Sequence, residues 1–164
     1  MANDTLTDFV DQFSTILRDS GVPPMPARTF AYVLGLGRPS YTAADLAETT
    51  GASPAAISGA VTYLIGVGML ERHGGADRRH HYRLPPGDLW ASMIRRREAI
   101  LVRRYEALAQ AATDLGGRHD EHGAPLELGA MLFSFMAEDV PAMLARWEAY
   151  RDARLDELNH PPAR

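Results

Sequence analysis

With 164 residues, 46% of them hydrophobic and 23% charged, the chain is long enough for one domain with its own core, and its composition excludes a disordered or fibrous protein. It has no cysteine, which excludes disulfides, thiolate nucleophiles and cysteine metal sites. The N-terminus lacks a basic start followed by an apolar run, and no stretch approaches about 18 consecutive apolar residues, so a cytoplasmic protein with no membrane partner is expected.

The net charge of −4 argues against a polyanionic partner until it is resolved along the chain. Residues 1–27 hold one Arg against four acids, residues 28–97 nine Arg against five acids plus three His, and residues 98–164 seven Arg against twelve acids. A positive middle between two negative ends can steer a protein to DNA. Chance segregation on a solvated surface is the plain alternative.

In chain order, Leu6, Phe9, Val10, Phe13, Ile16 and Leu17 follow the spacing of an amphipathic helix, which Gly21-Val22-Pro23-Pro24 ends. A second helix is predicted from near Pro26 through Phe30 and Val33 to Gly37, and Tyr41-Thr42 forms a short strand. Thr42-Ala43-Ala44-Asp45 reads as a capping-box-like start, a hydroxyl with a carboxylate three residues on. That helix stops at Thr50-Gly51. Ser53-Pro54 opens the next, where Ser caps free N–H groups and Pro loses no bond at the first position. Ile57, Val61 and Leu64 face inward, and Gly66 and Gly68 end it. Two short helices joined through Gly51 make a helix-turn-helix.

Met69 to Arg72 and His80 to Leu84 are predicted strands joined by a turn over Gly74 to Arg79. Helix-turn-helix followed by a hairpin is a winged helix. Past Pro85-Pro86-Gly87, an apolar stripe from Trp90 and Met93 through Leu101 and Tyr105 to Leu115 predicts a long helix. Residues 116–125 form a polar loop. A last stripe runs from Leu128 to Leu158, with a kink or break near Asp139 imposed by Pro141. The expected fold is mostly α with a small β wing: a winged helix-turn-helix head over residues 22–85, with 1–21 and 86–164 as a long helical dimerisation region of one 164-residue domain.

The stretch LAETTGASPAAISGAVTYL from Leu46 to Leu64, then VGMLER from Val67 to Arg72 and Asp77-Arg78-Arg79 in the wing, resembles the helix-turn-helix, following strand and wing of the MarR superfamily of bacterial transcription regulators, near its GbsR-like branch. The motif resemblance covers roughly residues 28–84. It implies a homodimer that binds double-stranded DNA at a palindromic site, modulated by a small-molecule effector. Two-fold symmetric proteins read two-fold symmetric DNA. Repression is the expected sign of regulation. The resemblance implies that Asp77 pairs with a neighbouring Arg and shapes the wing.

The expected DNA contacts are Thr42, Ser53, Pro54, Ala55, Ala56, Ser58, Gly59, Thr62, Tyr63, Arg72, Arg78, Arg79 and His80. Arg78 and Arg79 would reach the minor groove, whose negative potential attracts Arg. Family members often carry Arg or Lys where Gly59, Thr62 and Tyr63 stand. With no long cation on this helix, small residues allow close approach, hydroxyls serve phosphate or base, and Ala touches a thymine methyl. A winged-helix protein-interaction module without DNA binding is the alternative.

Other constellations carry less. His119-Asp120-Glu121-His122 has metal-ligand types and would suit a metal-responsive regulator, but a solvated loop explains it equally. His73, His80 and His81 read as wing residues that add charge at lower pH. Arg95-Arg96-Arg97 is a phosphate support or a solvated face. No phosphate-binding glycine loop, nucleophile elbow or His-Glu-x-x-His occurs, so no catalytic residue, metal or cofactor is assigned and an enzyme is not expected. The resemblance implies an effector pocket, where Phe9, Phe13, Phe30, Trp90 and Met93 are the lining candidates. Plain core explains the same stripe.

Overall fold

The N-terminal stripe folds as α1, Ala2–Asp19, and lies on α2, Pro24–Leu36. Phe9 and Phe13 stack with ring centroids 5.4 Å apart, and Phe13 reaches Phe30 of α2 at 6.4 Å. A small residue lets the helices meet: a Cβ on Gly35 would stand 2.7 Å from Leu6 Cδ1 and 3.0 Å from Phe9 Cδ1. The computed structural model describes residues 2–74 and 79–159, which fall into two units, Met1–Leu89 and Trp90–Arg164.

The rest of the first unit is the expected helix-turn-helix with its hairpin. β1, Tyr41–Thr42, leads into α3, Ala43–Thr50. The capping box forms in full: Thr42 Oγ1 accepts from the Asp45 N–H at 3.2 Å, and Asp45 Oδ2 accepts from the Thr42 N–H at 2.7 Å. Gly51 then takes the left-handed conformation (φ 69°) that stops α3 and is costly for residues with a Cβ. α4, Pro54–Gly66, starts on the Ser53 cap and buries Ile57, Ala60, Val61 and Leu64.

The wing strands are β2, Glu71–Gly74, and β3, His80–Arg83, in an antiparallel sheet of order β1-β3-β2. β2 begins two residues later than predicted. The Met69 and Leu70 N–H groups both donate to the Leu64 carbonyl, at 2.9 and 3.2 Å, so they close α4 instead of joining a ladder. Tyr41 and Tyr82, paired across β1 and β3, are buried together.

The second unit holds α5, Leu89–Asp114, apart from its first residue; a 3-10 turn, Gly117–His119; and α6, Gly123–Asn159. Of the kink or break expected near Asp139, no break occurs. α6 is helical through Pro141, because Pro forfeits a single backbone bond and the flanking residues 124–140 and 142–159 are long enough to hold the helix. The two long helices run antiparallel, with Arg95 on Glu148 at 2.7 Å and Arg104 over the Phe133 ring at 5.4 Å.

α6 buries only Gly123, Ala130 and Leu144. Leu128, Met131, Leu132, Phe135, Tyr150 and Leu158 are each more than half exposed. One 18-residue stretch of this helix has mean hydropathy 1.4, enough by length and composition to cross a membrane. Counting consecutive apolar residues passed over it, because Ser134, Glu138 and Asp139 interrupt the run.

Candidate nucleic-acid interface

Burial of Ile57, Ala60, Val61 and Leu64 turns the opposite side of α4 outward. Ser53, Pro54, Ala55, Ser58, Gly59 and Thr62 are exposed there, while Ala56 and Tyr63 are half-buried. This face carries no charge. Ser53 Oγ accepts from the Ala56 N–H at 3.3 Å, and Thr62 Oγ1 donates to the Ser58 carbonyl at 2.8 Å. The proton of Thr62 is therefore engaged within the helix, whereas the Ser58 hydroxyl has no such bond among the described residues. Space is open over Gly59: a Cβ there would have no neighbour within 4 Å.

The cations lie on the wing. Arg72 is exposed on β2 opposite buried Tyr82, and Arg79 and His80 are exposed where β3 begins. Asp77 and Arg78 lie outside the described residues. Thr42, Ala43, Ala44, Arg79, His80 and Tyr82 line a groove of about 450 Å³ at the start of α3. A helix N-terminus beside an arginine suits an anion. Among the described residues one carboxylate opposes it: Asp45, held below its ordinary pKa by hydrogen bonds from the Thr42 backbone and side chain, with Arg38 and His81 adding attraction. Thr42 does less than expected for a ligand, since its hydroxyl donates to Asp45 Oδ2 at 2.8 Å.

The remaining candidates are distributed over both units. Phe9, Phe13 and Phe30 form an aromatic row in the first unit, while Trp90 and Met93 belong to the second. His119 Nε2 accepts from Arg118 Nε at 3.3 Å, and the His122 N–H donates to Asp120 Oδ1 at 2.8 Å. No group of three or more His, Asp or Glu side chains gathers among the described residues, the 119–122 loop included. Arg95 of the triple-arginine run is paired with Glu148. Sequence reasoning missed one pairing, His73 directly opposite His81 across the wing, because the first wing strand was expected to end at Arg72.

These elements, in this order and with this sheet, define a winged helix-turn-helix. No protein-family model matches the chain, and no curated protein matches it. A solved structure described as a transcriptional regulator superposes with a TM-score of 0.79 at 23% identity, covering 88% of this chain and 99% of that one. At that identity the likeness establishes the fold. MepR, a transcription regulator of the Staphylococcus aureus multidrug efflux pump MepA, superposes at 0.40 with 13% identity over 95% of this chain and 91% of its own, too distant to add weight.

Proposed function

We propose that the chain is a sequence-specific double-stranded DNA-binding transcriptional regulator of the MarR superfamily, GbsR-like in branch, acting as a cytoplasmic homodimer on a palindromic site. The observation that carries this reading is the exposed, carboxylate-free face of α4 beside a wing bearing Arg72, Arg79 and His80. A helix with small outward residues can lie close in a major groove, and the wing arginines supply the attraction to phosphate. The superposed structure is itself described as a transcriptional regulator, which is consistent with this use of the fold. Modulation by a small-molecule effector and repression as the sign of regulation belong to the same proposal, as does the absence of catalysis.

The dimer rests on α6. Leaving Leu128, Leu132, Phe135 and Leu158 in water forgoes about 25 cal/mol for each Å² of apolar surface, and so large an exposed patch marks an interface. A second copy is favoured over a bilayer because Glu138 and Asp139, both exposed, stand near the middle of α6. A membrane span would carry both carboxylates into hydrocarbon.

The uncharged α4 gives one specific reason for a second reading, a winged-helix module that binds a protein instead. Fluorescence anisotropy with random-sequence duplex and with single strands of the same length separates the two. Duplex binding that weakens steeply with salt and exceeds single-strand binding is the expected result. Among the described residues no exposed aromatic row accompanies the wing cations as base stacking would need. Absence of duplex binding at low salt would overturn the proposal.

A further inference from the structure

We propose that His73 and His81 form a two-imidazole chelate for a late first-row divalent cation of the zinc and copper type, clipping the two strands of the wing together. The site is separate from the proposed DNA-contact face and does not depend on DNA binding. His73 on β2 and His81 on β3 are cross-strand partners, so the sheet holds them face to face. Their ring centroids stand 5.6 Å apart, tilted by 36°. Two imidazoles on one tetrahedral ion, each nitrogen about 2.0–2.1 Å from the metal and each ring centre about 1.1 Å behind its nitrogen, have centroids about 5.2 Å apart. The observed centroid separation of 5.6 Å is within a few tenths of an ångström of that value.

An independent observation points the same way. His73 Nε2 is buried and has no hydrogen-bond partner among the described residues. A buried polar nitrogen left unbonded is costly, and a metal bond would satisfy it. On the same face of the hairpin the next rung is the Glu71–Arg83 ion pair at 2.6 Å, and the Asp45 carboxylate lies within electrostatic reach of His81. The two carboxylates favour a cation, and Arg83 opposes it. No third protein ligand completes the set among the described residues, so water fills the remaining positions. Two imidazoles without a thiolate select zinc, copper or nickel over magnesium or calcium.

Zinc chloride titrated into the whole chain at neutral pH tests this, with calorimetry for stoichiometry and nitrogen-15 spectra of the histidine rings for identity. One ion per chain at micromolar affinity is expected, with the His73 and His81 rings shifting together and amide exchange slowing across β2 and β3. His73→Gln and His81→Gln, each shown to fold by circular dichroism, should bind at least tenfold more weakly, whereas the double variant His119→Gln/His122→Gln should bind as the parent does. Should one wing variant fail to fold, the other and the ring spectra of the parent decide. Affinity unchanged in the wing variants, loss in the loop variant instead, or no binding at millimolar zinc would overturn the proposal.

Discussion

Thr29 is fully buried on α2, yet its Oγ1 has no hydrogen-bond partner among the described residues. Removing a buried, unbonded hydroxyl while keeping the branched shape relieves a desolvation cost, so Thr29→Val should raise stability by about 1 kcal/mol in urea unfolding. A loss of stability would show that the hydroxyl is bonded after all. Asp45 offers the opposite case. Its bonds to Thr42 lower its pKa in the folded chain, so its stabilisation is present above the ordinary carboxylate range and is lost as pH falls through the depressed value. Asp45→Asn should therefore unfold more easily than the parent at pH 7, by about 1 kcal/mol for a lost cap, and the gap should close in strong acid. A gap independent of pH would contradict this. The Asp45 cap was legible in the sequence because both partners lie within four residues. Tyr41 was not: it is 1% exposed, its hydroxyl donating to the Val33 carbonyl at 3.1 Å and accepting from the Arg38 N–H at 3.0 Å, a role set by packing on α2 that no local pattern records.

Among the elements, α4 joins fold and function most closely. Space is open over Gly59, so Gly59→Ala should gain up to about 1 kcal/mol of helix stability with little effect on duplex affinity. Gly59→Glu should fold equally well but place a carboxylate against the DNA phosphates and weaken duplex binding at least tenfold. Equal affinity for both variants would remove α4 from the interface. For the wing, Arg79→Ala should lower affinity and flatten the slope of log K against log salt by up to about one unit, near 0.9 per phosphate contact. An unchanged slope would make Arg79 a solvated side chain. Helices α1 to α4 were legible because caps, glycines and apolar spacing are local signals. The start of β2 was not, since the Leu64 carbonyl claims the Met69 and Leu70 N–H groups. The continuity of α6 across Pro141 was also hidden, because a local rule for proline does not weigh the long helix on either side.

For the whole molecule, the exposed apolar stripe of α6 predicts self-association: sedimentation at micromolar concentration should give the mass of two chains, and Leu132→Glu/Phe135→Glu should give one. A parent that sediments as a single chain would contradict the dimer. The stripe itself was legible as a 3.6-residue periodicity, but its spacing alone could not tell a buried face from an uncovered one; that distinction came from the exposure of Leu128, Phe135 and Leu158. The central claim, a dimeric winged helix that reads duplex DNA, is tested most directly by selecting bound duplexes from a random pool, with the Gly59→Glu chain selected in parallel. The expected product is a two-fold symmetric sequence whose half-sites are centred about 10–10.5 base pairs apart, or a multiple of that, enriched by the parent alone. A pool that stays random after selection, or that both chains enrich alike, would contradict it.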